Sequence, residues 1–453
     1  MSPNARELSV RVLDEVDTKG AYANLALDRI LSEAEIDSRE RSLATEIVYG
    51  TLRNRAYIDW VIDSLTPRGI DSIDPKLLNI LRTAIYQIRF LTRIPPFAAV
   101  NEAVNLSKKR AGRNTHRFVN GLLRSYVRRI RELVPPSLEE DPALSLSITY
   151  SFPRWMVERW LAEYGLGNTV KLCEYFNSSP QLTVRVNRLR ATRQEVADRL
   201  AARGIDVSLA SHTEVGLVLK GASAVTHIPE FIEGLFTVQD VSSMLVAPVV
   251  NPRAGSLVVD ACGAPGGKTT HLAELMDDTG TVLSLDVHEH RLRATREAAS
   301  RLGLSSIKTM LHDATKELSG LEDQVDALLI DAPCSGLGVL NRRADARWRK
   351  TPDDIDQLVE LQKSILDAMS KCLKPGGTLV YSTCTITREE NDDVIDWFLD
   401  SHRNFRPSAI ANFLPASLVS LGGLRSSNDH SIRLLPFVHG TDGFYIARLT
   451  RVS

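Results

Sequence analysis

Apolar residues recur at i, i+3, i+4 and i+7 through ARELSVRVLDEV, RERSLATEIVYGTLRN, PKLLNILRTAIYQIRFL and AAVNEAVNLSKKR. That period draws one apolar stripe along each segment and predicts amphipathic helices across residues 5–135. LTPRG at 65–69 and RIPPF at 93–97 interrupt it, so the helices must cover their stripes against one another as a bundle. After the proline-rich, acidic stretch LVPPSLEEDP at 133–142, helical PRWMVERWLAEYG is followed by the short apolar runs LTVRVN, VSLA and VGLVLK, a small α+β pattern. From about residue 236, continuous apolar runs at 257–261, 281–286, 307–311, 326–331 and 378–383 alternate with helical stretches, and FYIARL at 444–449 supplies a last strand. Unbroken apolar strands between helices are buried on both faces, which predicts an α/β fold with a doubly wound parallel sheet. The expected division is a helical domain at 1–138, a small α+β module at 139–235 and an α/β domain at 236–453.

Composition changes this picture little, since 43% hydrophobic and 25% charged residues suit a globular chain. No apolar run approaches the ~18 residues of a membrane span, and MSPNARELSV lacks the apolar core of a secretory signal. A cytoplasmic protein is expected, with reduced thiols. Five cysteines, at 173, 262, 334, 372 and 384, fit neither a disulfide framework nor a zinc ribbon, so no metal is expected.

Charge changes it more. Residues 1–135 hold 22 Lys and Arg against 16 Asp and Glu, a net of +6, while the remainder holds 33 against 40, a net of −7. From Lys108 to Arg131 there are nine basic residues and no acidic one. In RFVNGLLRSYVRRIR, Arg117, Arg124, Arg128 and Arg131 fall on one narrow face at about 100° per residue, and Phe118, Leu122, Tyr126 and Ile130 on another. So dense and unbalanced a stripe favours a polyanion, and these four arginines are the candidate nucleic-acid contacts.

The first strand of the α/β pattern runs into DACGAPGGKTTHLAE, residues 260–274. Gly263, Gly266 and Gly267 let backbone approach a ligand at the strand's carboxyl end. Asp286 closes the next strand 20 residues after Gly266, where a carboxylate accepts from ribose hydroxyls. The spacing is neither G-x-G-x-x-G nor a P-loop. It indicates a nucleoside cofactor, with NAD and S-adenosylmethionine both allowed.

Cys334 in DAPCSGLGV and Cys384 in YSTCTITREEN each follow a predicted parallel strand, so both thiols should meet the cofactor crevice. Cys173 and Cys372 lie on helical stretches and are expected in the core. A thiol beside a nucleoside cofactor and a basic surface suits methylation of cytosine at C5. Thiolate addition at C6 breaks the 5,6 double bond and makes C5 nucleophilic, splitting one hard step into two. A second thiol would help remove the C5 proton and release the first. Asp331 is placed to favour the N3-protonated base.

DACGAPGGKT, LSLD, DAPCSGLGV and YSTCTITREEN resemble motifs of the RNA cytosine-C5 methyltransferases of the Nol/Nop/Sun superfamily. EIVYGTLRN, LRTAIYQIRFL, RIPPFAAVNEAVNLSKK and FVNGLLR resemble the NusB-like helical domain of its bacterial Sun/Fmu (RsmB) branch, whose members methylate 16S ribosomal RNA. RVN at 185–187, VQDVSSML at 238–245 and GTDGFYIARL at 440–449 extend the likeness over the whole chain. The resemblance implies a Rossmann-like methyltransferase domain behind an all-α NusB-like bundle. It implies S-adenosyl-L-methionine lined by Cys262, Gly263, Ala264, Pro265, Gly266, Gly267 and Lys268, with Asp286 on the ribose and Asp313 by the adenine. It makes Asp331 a bridge between cofactor and base, Cys384 the nucleophile and Cys334 the residue that assists release. DNA cytosine methyltransferases use the Pro-Cys thiol instead, so the Thr-Cys motif argues for RNA. The expected partner is 16S ribosomal RNA, met by a monomer without membrane or metal; tRNA or another rRNA site is the alternative. A nicotinamide oxidoreductase would have no use for the strand-end cysteines, and a non-catalytic antitermination-type scaffold would leave the second half unexplained.

Overall fold

Each helical period of the N-terminal segments ends at a local signal. Asn4 and Asp37 cap Ala5–Lys19 and Ser38–Arg53 by accepting from the amides of Glu7 and Glu40, and Asp74 caps Pro75–Phe90 with proline in its first turn. The computed structural model describes residues 4–112, 115–221, 225–424 and 429–452. The chain divides into two compact units, Met1–Ser178 with Leu340–Arg349, and Ser179–Val339 with Lys350–Ser453.

The first unit is helical. Ala5–Lys19, Ala23–Ser32 and Ser38–Arg53 enclose one apolar cluster; Arg55–Leu65, Pro75–Phe90, Pro96–Ala111 and Thr115–Arg129 enclose another. Gly50 sits inside a helix because a Cβ there would lie 1.9 Å from the Tyr86 ring. Buried Arg82 holds Asp59 through two bonds of 2.7 and 2.8 Å and Asp17 through one of 2.9 Å. The segment Leu340–Arg349 brings in Arg347, wholly buried, which donates to the carbonyls of Ser151 and Phe176 and to the Asn177 amide oxygen. With no carboxylate beside it, burial pulls its guanidinium down to about 9.

The arginine-rich helix stops two residues short of its predicted end. The amides of Glu132 and Leu133 both turn back to the Arg129 carbonyl, ahead of Pro135–Pro136, where the helical conformation is disfavoured. Arg131 therefore lies beyond the helix. Phe118, assigned to the apolar face, is 40% exposed, whereas Leu122 and Tyr126 are buried as expected.

In the second unit two sheets form among the described residues. Strands β1 (Leu182–Val186), β2 (Asp206–Leu209), β3 (Gly216–Lys220) and β4 (Phe236–Val238) make an antiparallel sheet of order β2-β3-β1-β4. The larger sheet uses β5 (Leu257–Asp260), β6 (Thr281–Asp286), β7 (Ile307–Leu311), β8 (Val325–Asp331), β9 (Leu373–Thr383), β10 (Phe405–Pro407), β11 (Ser431–Leu434) and β12 (Phe444–Arg451). Its order is β10-β12-β9-β8-β5-β6-β7, with β11 also on β12. β5 to β9 pair in parallel, and β12 runs antiparallel beside β9. Neighbouring strand residues feed opposite cores: Val259, Leu283, Leu328 and Leu379 one, Val258, Val282, Leu329 and Val380 the other. That is the reason β5, β6, β8 and β9 read as apolar runs; β7, expected to be buried, lies at the sheet's edge with Met310 and Leu311 exposed. β9 begins five residues before its apolar run, because Lys374-Pro375-Gly376-Gly377 is accommodated as a register shift against β8.

Candidate active site

The site gathers at the carboxyl ends of β5, β6, β8 and β9. After β5 the chain turns sharply: the Gly263 amide donates to the Leu285 carbonyl at 2.9 Å and the Gly266 amide to the Gly263 carbonyl at 2.8 Å. A Cβ on Gly263 would fall 2.3 Å from the Ser284 hydroxyl and 2.8 Å from the Asp260 carboxyl carbon. Gly266 has φ of +103° and packs on Thr295, so both positions require glycine. Helix Gly267–Leu275 starts immediately afterwards.

Asp260 closes β5 fully buried, accepting from the Thr269 hydroxyl at 2.7 Å, with the Cys262 amide also nearby. Burial pushes its carboxyl up to about 7. Asp286 closes β6, nearly buried, and takes the His288 amide at 2.8 Å. Asp313 follows β7 and folds back on its own turn, accepting from the Thr315 amide at 3.1 Å and hydroxyl at 2.7 Å. The Thr315 hydroxyl holds its carboxyl below the ordinary value.

Asp331 closes β8 and links three segments. One oxygen takes the Lys268 ammonium from the glycine loop at 2.8 Å, the other the Ser382 hydroxyl from β9 at 2.8 Å. Burial alone would lower Lys268, but the Asp331 charge and hydrogen bond together with the Asp240 and Cys384 charges outweigh it and raise the ammonium. Lys268 also lies 5.2 Å from the Phe444 ring centre and within electrostatic reach of Cys384.

Three residues past Asp331 and one past Thr383, the thiols meet, with Cys334 Sγ 3.4 Å from Cys384 Sγ. The adjacent parallel register of β8 and β9 aligns Asp331 with Ser382, which brings the two following loops together. The Cys384 sulfur, then burial, then the Glu390 and Asp331 charges raise the Cys334 thiol well above its usual value. The Gly338 amide donates to the Cys384 carbonyl at 3.0 Å, and a Cβ on Gly338 would strike Gly443. By contrast Cys173 and Cys372 are buried in apolar surroundings, which push both thiols up to about 12. Cys262 is partly exposed, and burial raises its thiol.

The structure thus brings together the glycine loop, Lys268, Asp286, Asp331, Cys334 and Cys384. The basic residues belong to the other unit, where Arg117, Arg124, Arg128 and Arg131 are exposed, and Arg124 and Arg128 line a groove with Phe97, Asn101, Asn120 and Val127. Three residues at the site escaped the sequence reading. Asp260 was visible only as the start of the glycine loop, Ser382 as one strand residue among several, and Glu390 as one charge in TREEN. Arg185, in a strand, gave no sign that it is fully buried, donating to Gln239, the Gly267 carbonyl (2.7 Å), Thr270 (3.0 Å) and Glu274 (2.8 Å). Among the described residues no group of three or more His, Cys, Asp or Glu could hold a metal, and no helix is long and apolar enough to cross a membrane.

A sheet of this order, parallel from β5 to β9 with β12 antiparallel beside β9, together with the family match to residues 247–450, defines a Rossmann-like methyltransferase domain. The description 16S rRNA methyltransferase RsmB/F matches residues 247–450, the NusB family matches 3–128, and the RsmF/B-like ferredoxin-like domain matches 152–226. A Bacillus subtilis protein named "Probable ribosomal RNA small subunit methyltransferase B" is 39% identical over 99% of each chain, and ribosomal RNA small subunit methyltransferase B of Pectobacterium atrosepticum is 33% identical over 99% of each. The crystal structure of PH0851 superposes with a TM-score of 0.79 at 28% identity over 100% of both chains. The chain belongs to the RsmB/F family of 16S rRNA methyltransferases.

Proposed function

We propose that the protein transfers a methyl group from S-adenosyl-L-methionine to C5 of a cytosine in 16S ribosomal RNA, through a covalent bond between Cys384 and C6. The observation that carries this reading is the pair of sulfurs 3.4 Å apart, beside an aspartate shared with the cofactor loop. The sharp turn through Gly263 and Gly266, which brings backbone to the carboxyl ends of β5 and β6, and the Asp286 carboxylate that closes β6 fit a nucleoside-bearing ligand. Residues Cys262 to Lys268 with Asp286 would hold S-adenosylmethionine, which supplies an electrophilic methyl group; Asp313 is the candidate for the adenine side.

Cys384 attacks as the thiolate, and the neighbouring Lys268 charge favours that form. The new S–C6 bond moves the 5,6 π electrons toward C5, making it the nucleophile. Asp331 holds the proton at N3 that draws this density into the ring. After C5 is methylated, its proton passes to Cys334, the 5,6 double bond re-forms, and the Cys384 sulfur leaves as the thiolate. Cys334 stands in contact with that sulfur, and the surroundings that raise its thiol make its sulfur a ready acceptor of that proton. Arg117, Arg124, Arg128 and Arg131 would neutralise RNA phosphates within a NusB-like domain at 1–138. The segment 139–235 would serve as a small RNA-facing module and 236–453 as the catalytic domain of a cytoplasmic monomer.

The test is a pair of denaturing gels with 16S rRNA and S-adenosylmethionine. Cys334→Ala should accumulate a protein–RNA adduct and Cys384→Ala should form none. The reverse pattern would assign the nucleophile to Cys334. No adduct in either, with C5-methylcytosine absent from the RNA, would sink the covalent reading.

A further inference from the structure

The loops that carry the two thiols are joined by a buried acid that touches neither sulfur. Glu390 is fully buried. Its Oε1 accepts the Ser335 amide at 2.7 Å and the Gln362 side-chain amide at 3.2 Å; its Oε2 accepts the Ser335 hydroxyl at 2.5 Å and the Thr387 hydroxyl at 2.7 Å. Ser335 follows Cys334, while Thr385 follows Cys384 and bonds the Ser335 hydroxyl at 2.9 Å. Gln362 also donates to the carbonyl of Pro333, which precedes Cys334. The Glu390 carbonyl takes the Tyr381 hydroxyl of β9 at 2.7 Å. One acceptor-only group therefore satisfies donors from the Pro-Cys loop, the Thr-Cys loop and the helix Pro352–Ser370.

We infer that Glu390 is a positioning residue: its carboxylate clamps the Pro-Cys loop onto the Thr-Cys loop and so holds the Cys334 sulfur against the Cys384 sulfur. This rests on the reading of the two thiols as the reacting pair. A buried carboxylate satisfied by four uncharged donors is costly to rearrange, so it tightens, beside the two sulfurs, a junction that the Gly338-to-Cys384 backbone bond secures only farther along the Pro-Cys loop.

Glu390→Gln tests it with little risk to the fold. The amide oxygen can serve the Ser335 and Gln362 donors, while the amide nitrogen faces two hydroxyls that can rotate to accept. Two readouts are required, beside a thermal melt. In the absence of RNA, iodoacetamide labelling followed across pH by peptide mass spectrometry should show Cys334 reacting at lower pH than in the parent, because both the neighbouring sulfur and the negative charge are withdrawn. With 16S rRNA and S-adenosylmethionine, the variant should methylate in the first turnover but release about tenfold or more slowly, as expected when a group is misplaced by a fraction of an ångström; the adduct should accumulate on denaturing gels. Ser335→Ala, which removes one donor and leaves the acid, should show both effects more weakly. An unchanged Cys334 labelling profile, with methylation and release falling together in step with the melting temperature, overturns the inference and makes Glu390 a stabilising residue only. If Cys334→Ala gives no adduct, the catalytic reading has failed, and the labelling profile still decides whether Glu390 sets the thiols' contact.

Discussion

At the ends of β8 and β9 the carboxylate of Glu390 has four donors and no exposure, whereas the guanidinium groups of Arg117, Arg124 and Arg128 stand in solvent without an ion pair among the described residues. The first region spends its polar groups on one another. The second leaves them to be satisfied from outside. Burial makes each polar contact at the thiol end expensive to lose, so single substitutions there should act steeply. Exposed, screened charges act in small increments that sum. On the proposed function the contrast also separates chemistry from capture: one region would fix a sulfur within fractions of an ångström, the other would only hold a charged chain nearby.

The steepest break should come at the proposed nucleophile. Cys384→Ala is expected to abolish methyl transfer at any RNA concentration while melting close to the parent, because it removes the bond-forming atom from a partly exposed position. Incorporation of labelled methyl groups into 16S rRNA measures this. Residual activity within tenfold of the parent would move the chemistry elsewhere.

Next in size is the buried ion pair beneath the glycine loop. Arg185→Met leaves Glu274 buried and unpaired, which should lower stability by about 3–5 kcal/mol in urea titration. Adding Glu274→Met should recover most of that loss, because well-packed apolar residues can replace such a pair. Equal losses in the single and double variants would show that the Arg185 bonds to Gly267 and Gln239, rather than its charge partner, account for the effect.

Asp260 gives a pH signature. Its folded carboxyl is raised to about 7 against 3.8 unfolded, so between those values the unfolded state sheds a proton that the folded state keeps. The contribution favours folding below the unfolded value and is lost as pH rises through the folded one. Asp260→Asn keeps an acceptor for Thr269 and removes this titration. Its melting temperature should fall less than the parent's between about pH 4 and pH 7, leaving the variant relatively more stable at pH 8, by an amount on the order of a few kcal/mol. Parallel melting curves would deny that the carboxyl is raised.

What could be read in advance follows the same division. Continuous apolar runs revealed the strands because two cores cover the sheet, and parallel strands end on one edge, which put Cys334 and Cys384 together before any coordinates. Helical period exposed the arginines, although it carried Arg131 past a helix that the coming prolines stop. Glu390 and Arg185 were illegible because their partners lie far along the chain, at Ser335 and Gln362 for one and at Gly267 and Glu274 for the other. An arginine within LTVRVN reads as the exposed half of a strand; only a second element laid over it makes it buried. Likewise nothing in KPGG signals that β9 starts ahead of it, since a register shift depends on the partner strand.

The smallest effects belong to the basic face, and they are where the contrast can be sharpened. If Arg117, Arg124 and Arg128 neutralise phosphates, each contact contributes roughly 0.7 to 0.9 to the slope of log K against log salt. Reversing all three to Glu should weaken RNA binding strongly at low salt, flatten that slope, and leave little difference from the parent near 1 M, where screening is nearly complete. S-adenosylmethionine binding and the melting temperature should not move, because all three side chains are exposed and have no ion pair among the described residues. Arg131→Glu alone should matter less than Arg124→Glu, since Arg131 lies off the helix whose face aligns the others while Arg124 borders the groove with Phe97. Fluorescence anisotropy with a 16S rRNA fragment across a salt series reads all of this. A parent-like slope in the triple variant would make the stripe an ordinary solvated surface, and equal losses for Arg131 and Arg124 would make net charge, not the helix face, the feature that RNA meets.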